Sequence, residues 1–288
     1  MQSSNPVAVV EPVLVEYFDD HYYKITKDGT THYLPSVTTK LGIIDKPFLA
    51  KWRGDIGNRE ADFRMYEAGQ RGKRIHWAYE IALKGGMVVY DPWQNPVFTE
   101  EGIAALKAEH NGNVSILRTQ DEMWTIVKLQ KQFDALKPFV IGVEEKVYDI
   151  ANKDAGTIDN ILWIDEGDYL VAGSKPIHLK AGTYINDLKT GKVVGENTWL
   201  QLAAYAFMYE QMHQMKVAGA LITHTSATIK GGIQGLKTLV RDRQTLLEKD
   251  YPDYRHASAL WEREHADDQP ETFSFPATIQ LKLGGIKE

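Results

Sequence analysis

The spacing of apolar positions changes twice along the chain, and each change marks a different kind of element. Residues 14–37, "LVEYFDDHYYKITKDGTTHYLPSV", alternate in the manner of strands and predict a hairpin turning at Asp28-Gly29. From Lys46 to about Lys84 the period becomes helical, with Pro47 near the start and Gly85-Gly86 closing the end. Residues 88–98 predict a loop or short extended structure. A second helix follows over "TQDEMWTIVKLQKQFDALK", with Thr119 as its cap and Pro138 beyond its end.

After Pro138 the period shortens again. "FVIGVEEKVYDI", "GTIDNILWID", "DYLVAG" and "GTYINDLKTG" predict four strands separated by turn-forming stretches. A long apolar helix, "NTWLQLAAYAFMYEQMH", and one more strand, "VAGALITHT", complete the series. This order predicts an α/β fold in which a mixed central sheet is flanked by helices, preceded by the hairpin and a helical region. The expected organisation is a loose tail over 1–12, a single domain over 13–265 and a tail from 266. Within the domain, 13–137 forms the hairpin and helical part, 138–228 the core and 229–265 a C-terminal part.

Composition narrows the chemistry. The longest apolar stretches, "WLQLAAYAFMY" and "VAGALI", fall short of the roughly 18 residues that a membrane helix needs. The first dozen residues lack a basic segment followed by an apolar one, so no membrane and a cytoplasmic location are expected. There is no cysteine, which excludes disulfides, thiolate zinc sites and a cysteine nucleophile, and leaves oxygen or histidine to hold any metal. The net charge of −6 argues against a polyanionic partner, but its distribution argues otherwise. Residues 51–74 carry seven basic and four acidic side chains with Trp52, Phe63 and Tyr66 among them, and residues 228–243 carry four basic and one acidic. These segments suit a phosphate-binding surface or, equally, two solvated amphipathic faces.

The stretch "YINDLKTGK", residues 184–192, sets Asp187 and Lys189 on an otherwise apolar strand, two residues apart and therefore on one face. An unpaired buried ion costs several kcal/mol, so something must compensate both charges. A second such triplet, Glu144-Glu145-Lys146, occurs upstream. "GTID" places Asp159 on another apolar strand. If the two strands are neighbours, Asp159 and Asp187 converge, and two close carboxylates resist joint ionisation unless a cation joins them. A hard divalent ion satisfies that condition; a buried Asp–Lys ion pair without catalytic role is the plainer alternative. Gln201 and Tyr205, spaced i, i+4, share one helix face, and "RGKRIHWAYE" puts His76 on a helix with Arg71 before it and Glu80 one turn on.

Taken in order, "RGKRIH", a glutamate in "GVEEKVY", "GTID", "DLKTGK" and "WLQLAAYA" resemble the RecB-type branch of the PD-(D/E)XK nuclease superfamily. The segment "LPSVTTKLGIIDKPFLAKW" is similar to the entry segment of its phage and mitochondrial exonuclease members, and the resemblance spans roughly residues 34–225. It implies a restriction-endonuclease-like core and a Mg²⁺- or Mn²⁺-dependent deoxyribonuclease, most often an exonuclease in DNA recombination, repair or phage DNA processing. His76, Asp159, Asp187 and the Leu188 backbone carbonyl would hold the metal. Lys189 would orient water and offset charge, supported by Gln201 and Tyr205. The glutamate is Glu144 by spacing, with Glu145 the alternative. Trp52, Arg53, Arg71 and Arg74 would contact DNA, with a single-strand annealing or binding protein as a further partner and the host cytoplasm as the location of a phage-encoded copy.

The chain departs from the pattern in the long connection "GSKPIHLKAG" and in lacking the four cysteines with which several relatives hold an iron–sulfur cluster. A nucleotide-binding loop at "KTGK" is rejected, because Asn186 and Val193 stand where glycine and Ser or Thr are required. A structure-specific endonuclease and a non-catalytic nucleic-acid-binding relative remain as alternatives.

Overall fold

The computed structural model describes residues 11–18, 20–92, 99–171, 175–225 and 235–273. The first described elements are three strands rather than one hairpin: β1 (Val13–Tyr17), β2 (Asp20–Lys27) and β3 (Thr30–Pro35) form an antiparallel meander. The expected turn at Asp28-Gly29 joins β2 to β3. The additional turn before β2 was hidden because it uses Phe18 in a left-handed conformation, φ 53°, where sequence rules look for Gly or Asn. Ser36 then caps the short α1 (Val37–Lys40), its side chain accepting the Thr39 N–H.

The helix expected over 46–84 is two helices, α2 (Pro47–Ile56) and α3 (Asn58–Leu83). Pro47 does occupy the start of α2, but Gly57 adopts φ 83° and interrupts the backbone ladder between the two. Beyond α3, β4 (Met87–Tyr90) pairs in parallel with β5 (Val114–Leu117) through α4 (Glu100–Glu109). Residues 93–98 lie outside the described residues. Next, α5 (Gln120–Leu136) begins at Thr119 as expected, with a full capping box in which Glu122 returns a bond to the Thr119 N–H.

The central sheet contains β6 (Phe139–Asp149) and β7 (Asp154–Ile164). "DYLVAG" does not join it: β8 (Gly167–Tyr169) and β9 (Ile177–Leu179) form a separate two-stranded ribbon that fills the long connection. β10 (Gly182–Lys189), α6 (Asn197–His213), β11 (Gly219–Thr225) and β12 (Leu236–Asp242) follow. The five-stranded order is β12-β11-β10-β7-β6, with only β10 and β11 parallel. That parallel pair requires a crossover, which α6 supplies. β12 comes from the basic segment 228–243, which therefore contributes an edge strand; its first residues lie outside the described ones. α7 (Arg243–Thr245), a π-helical turn at Leu246–Asp250 and α8 (Tyr251–Glu264) end the described fold, apart from a last turn at Pro270–Phe273. The tail expected from 266 is anchored at first: the Tyr22 hydroxyl donates to Asp268 at 2.9 Å, and the Gln269 N–H donates to Tyr17.

Helices cover both sheet faces. Ile158, Ile161, Ile185 and Ile222 pack against Leu202, Tyr205 and Tyr209 of α6, with Leu246 and Tyr254 behind them. On the other face Leu162, Tyr184 and Leu221 meet Phe133 and Leu136 of α5, while Leu188 sits among Ile75, Tyr79 and Leu129. Each fully buried aliphatic side chain contributes roughly 1.5–3 kcal/mol, so the sheet is held rigidly from two sides. The fold is thus a mixed α/β layer with helices on both faces. Among the described residues no helix is long and apolar enough to cross a membrane.

Candidate active site

The ladder between β7 and β10 stops inside the sheet. Its last rung is Asn160–Asn186, and continuing the register would next oppose Asp159 to Asp187. Like charges directly opposite each other disfavour pairing, and here the strands part. The Leu188 N–H, left beyond the last rung, donates to Asp159 Oδ2 at 2.7 Å. The Leu188 side chain meanwhile packs between Ile75, Tyr79 and Leu129, as alternation along β10 requires.

On the β6 side, Val143 pairs with Asn160 and Glu145 with Ile158, which leaves Glu144 opposite Asp159. Glu144 takes φ 52°, an uncommon conformation for a residue with a Cβ. The surroundings of the adjacent glutamates differ. Glu145 is engaged elsewhere, its Oε1 2.6 Å from His213 Nε2, whereas Glu144, Asp159 and His76 bring ligand atoms within 4.8 Å of one another. His76 reaches the group from α3, with Nδ1 3.5 Å from Asp159 Oδ2.

Asp187 is held at the edge of that triad. Lys189 Nζ lies 2.9 Å from its Oδ1 and 2.7 Å from its Oδ2, and Gln201 Nε2 donates to Oδ1 at 3.2 Å and to the Tyr205 hydroxyl at 3.3 Å. The ammonium's contact with Oδ2 is a charge contact, and that buried oxygen receives no aligned hydrogen bond. Tyr205 comes close enough to β7 that a Cβ on Gly156 would lie 2.3 Å from its ring, so the glycine of "GTID" is a packing requirement of the site.

The electrostatics show a site short of positive charge. Burial first, and the Asp187 carboxylate second, push the Asp159 pKa up; His76, Lys189 and the Leu188 N–H oppose this without reversing it. Burial, Asp159 and Glu80 push Glu144 up to about 7, against the pull of Lys84. Burial works to lower the Lys189 pKa, but Asp187 and Asp159 outweigh it and hold the ammonium above its usual value. Glu80, one turn beyond His76 and paired with Lys84 at 2.6 Å, belongs to this environment although the family resemblance gave it no role. Its i, i+4 relation to His76 was the available signal.

Oxygen donors with one imidazole nitrogen, a surplus of carboxylates and an orphaned buried Asp187 oxygen fit a hard divalent cation such as Mg²⁺ or Mn²⁺. The basic residues divide. Arg71 is built into the site's frame: its guanidinium contacts Asp121 at 2.5 Å, Thr125 at 3.2 Å and the Thr190 carbonyl at 3.3 Å, just beyond Lys189. Arg74 pairs with the buried Glu122 at 2.6 Å, so it ties α3 to the α5 cap. Arg53 lies on α2, paired with Asp62 at 2.7 Å, and Trp52 is half-buried beside it. These last two are not brought to the carboxylates. No protein-family profile matches the chain, and a search of curated proteins finds no match.

Proposed function

We propose that the chain is a metal-dependent deoxyribonuclease of the PD-(D/E)XK type, acting as an exonuclease in DNA recombination, repair or phage DNA processing. The single observation that carries the reading is the break in the β7–β10 ladder, where Asp159 and Asp187 face each other beside Lys189, His76 and Glu144. A core has little reason to collect so many buried charges for stability alone.

His76, Asp159, Asp187 and Glu144 are the residues that would hold Mg²⁺ or Mn²⁺. When bound, the cation would supply positive charge for the phosphoryl oxygens and acidify a water for attack. Gln201 fixes Asp187 through Oδ1 and is itself fixed by Tyr205, so the carboxylate's other oxygen keeps its direction. The Lys189 ammonium, kept protonated by its carboxylate neighbours, offsets charge that develops on the phosphate. Glu144, its carboxyl pushed up to about 7 by burial and by Asp159, would give up its proton more readily beside a bound cation. On α2 and α3 the exposed rings of Phe48, Phe63, Tyr66 and Trp77 stand among Lys51, Arg59, Arg64 and Lys73. Rings that stack on bases beside cations that meet phosphates suit an unpaired DNA strand.

The test is digestion of end-labelled linear and closed circular DNA, each single- and double-stranded, with Mg²⁺, Mn²⁺ or EDTA. Nucleotide release from linear DNA only, abolished by EDTA, is expected. Cleavage of closed circles would replace the exonuclease by an endonuclease, and tight binding without cleavage in either metal would make the chain a binding protein.

A further inference from the structure

Behind the carboxylates runs a file of buried polar side chains that the chemistry above does not use. Gln132 on α5, Thr223 on β11, Asn186 on β10 and Asn160 on β7 are all 0–1 % exposed. Gln132 Nε2 donates to Thr223 Oγ1 at 2.7 Å and to Thr238 Oγ1 at 3.0 Å. Thr223 Oγ1 donates to Asn186 Oδ1 at 2.7 Å, and Asn186 Nδ2 donates to Asn160 Oδ1 at 3.1 Å. The file then ends at Asn160 Nδ2 and the Tyr79 hydroxyl, which approach each other in the core without a well-aligned hydrogen bond.

The neighbouring positions on this face are Leu162, Tyr184, Leu188 and Leu221, and an apolar pair at 160 and 186 would be a cheaper way to fill the layer. What an amide pair adds is a fixed distance. Asn160 directly follows Asp159, Asn186 directly precedes Asp187, and the two asparagines form the last rung before the strands part. A bond between their side chains clasps the rung from which both carboxylates spring, and Thr223 and Gln132 anchor that clasp to the helix layer.

We propose that the Asn160–Asn186 clasp is a positioning device that sets the separation of Asp159 and Asp187, and through it the affinity of the site for a divalent cation. Removing it leaves the strands free to widen while the layer stays filled. This rests on the metal reading above, and the readout is cation binding rather than cleavage.

The experiment compares the full-length wild type with Asn160→Leu/Asn186→Leu by calorimetric titration with Mn²⁺ and by thermal melting without metal. The double variant should melt within a few degrees of wild type yet bind Mn²⁺ about 10–100-fold more weakly, the usual loss when groups that orient metal ligands are removed. Thr223→Val, which removes only the anchor, should lose affinity in the same direction by less. Thr238→Val, at the far end of the file, should bind Mn²⁺ as wild type does. A double variant with lowered melting temperature and unchanged affinity would make the asparagines structural only and overturn the clasp. Should the double variant not fold, unchanged affinity in Thr223→Val overturns it, as would an equal loss in Thr238→Val. A wild type that takes up no Mn²⁺ is a different result, and it removes the metal reading together with the clasp.

Discussion

Strand β7 carries two aspartates five residues apart, Asp154 and Asp159, in contrasting company. Asp154 Oδ1 receives the Lys40 ammonium and the Tyr254 hydroxyl, each at 2.6 Å, and its Oδ2 receives Arg255 at 3.0 Å. Lys40, itself fully buried, also donates to Glu262 at 2.7 Å and to Ser258 at 3.0 Å. Two cations face two carboxylates, and the cluster ties α1, β7 and α8 together. Around Asp159 the arithmetic does not close: among the described residues, Asp159, Glu144, Asp187 and Glu80 are opposed by Lys189, Lys84 and a histidine, and Lys84 is already paired with Glu80. A balanced buried network acts as a clamp, whereas an unbalanced one leaves room for a charge from outside, as the proposed metal reading requires.

The sharpest way to break this contrast is to unbalance the clamp. Lys40→Met leaves Asp154 with Arg255 as its single cation, and removing one partner from a buried ion pair costs up to about 3–5 kcal/mol. Urea unfolding should register that loss, while the cleavage rate per folded molecule stays close to wild type. A Lys40→Met protein as stable as wild type would show that the cluster is not a clamp.

The matching change at the other site should act on rate instead. Lys189→Ala should lower kcat by about 10²–10³-fold, the loss typical of one group that stabilises transition-state charge. Asp187→Ala should abolish metal-dependent cleavage. Asp187→Ala should not lower melting temperature appreciably, because a site crowded with carboxylates gains nothing in stability from one of them, whereas Lys189→Ala removes a cation that opposes them and should lower it, so its rate is compared per folded molecule. Near-normal cleavage by either variant would refute the assignment of these residues.

A smaller effect is expected in the response to pH. Glu144 and Asp159 both have pKa values raised in the folded protein, Glu144 to about 7, so the native state holds protons that the unfolded chain releases at the ordinary values of 4.5 and 3.8. Stability from these groups is therefore fully present below their unfolded values and is lost as pH rises through the folded ones. Thermal melts without metal should show it falling between about pH 4.5 and 7. Mn²⁺ should reverse the trend, since it competes with those protons and binds better as pH rises. Glu144→Gln should flatten the metal-free slope; an unchanged slope would remove Glu144 from the group.

The difference between the two aspartates was only half legible in the sequence. Asp159, Asp187 and Lys189 stand out because charges interrupt apolar strands, and that rule needs no structure. Asp154 does not stand out, because it sits in "NKDAG", which reads as a turn rather than as the start of β7, and its partners Lys40, Tyr254 and Arg255 come from distant elements. The core strands and α6 were recoverable from periodicity. The α2–α3 break was not, since one glycine inside a helical pattern does not announce a positive φ. β12 was missed because a half-buried edge strand rich in Lys and Arg has the composition of a surface loop. The separation of Glu144 from Glu145 required knowing which side of β6 meets Asp159, and alternation gives only that they differ.

The smallest effect concerns the basic surface, and it refines the contrast between residues that frame the site and residues that face outward. Arg53 and Arg71 lie in one charged segment, but Arg71 has its guanidinium engaged by Asp121, Thr125 and the Thr190 carbonyl, whereas Arg53 pairs only with the exposed Asp62 and with Met65. A cation that meets a phosphate releases a counterion, so its loss lowers the slope of log K against log[salt] by about 0.7 for single strands or 0.9 for duplex. Anisotropy titrations of labelled DNA between about 50 and 200 mM salt, the range over which such contacts dominate affinity, should show that decrease for Arg53→Ala. Arg71→Ala should leave the slope nearly unchanged and lower the cleavage rate, since it loosens the chain beyond Lys189. The reverse assignment, a slope lost with Arg71 and kept with Arg53, would place the DNA path over the carboxylate frame rather than along α2 and α3.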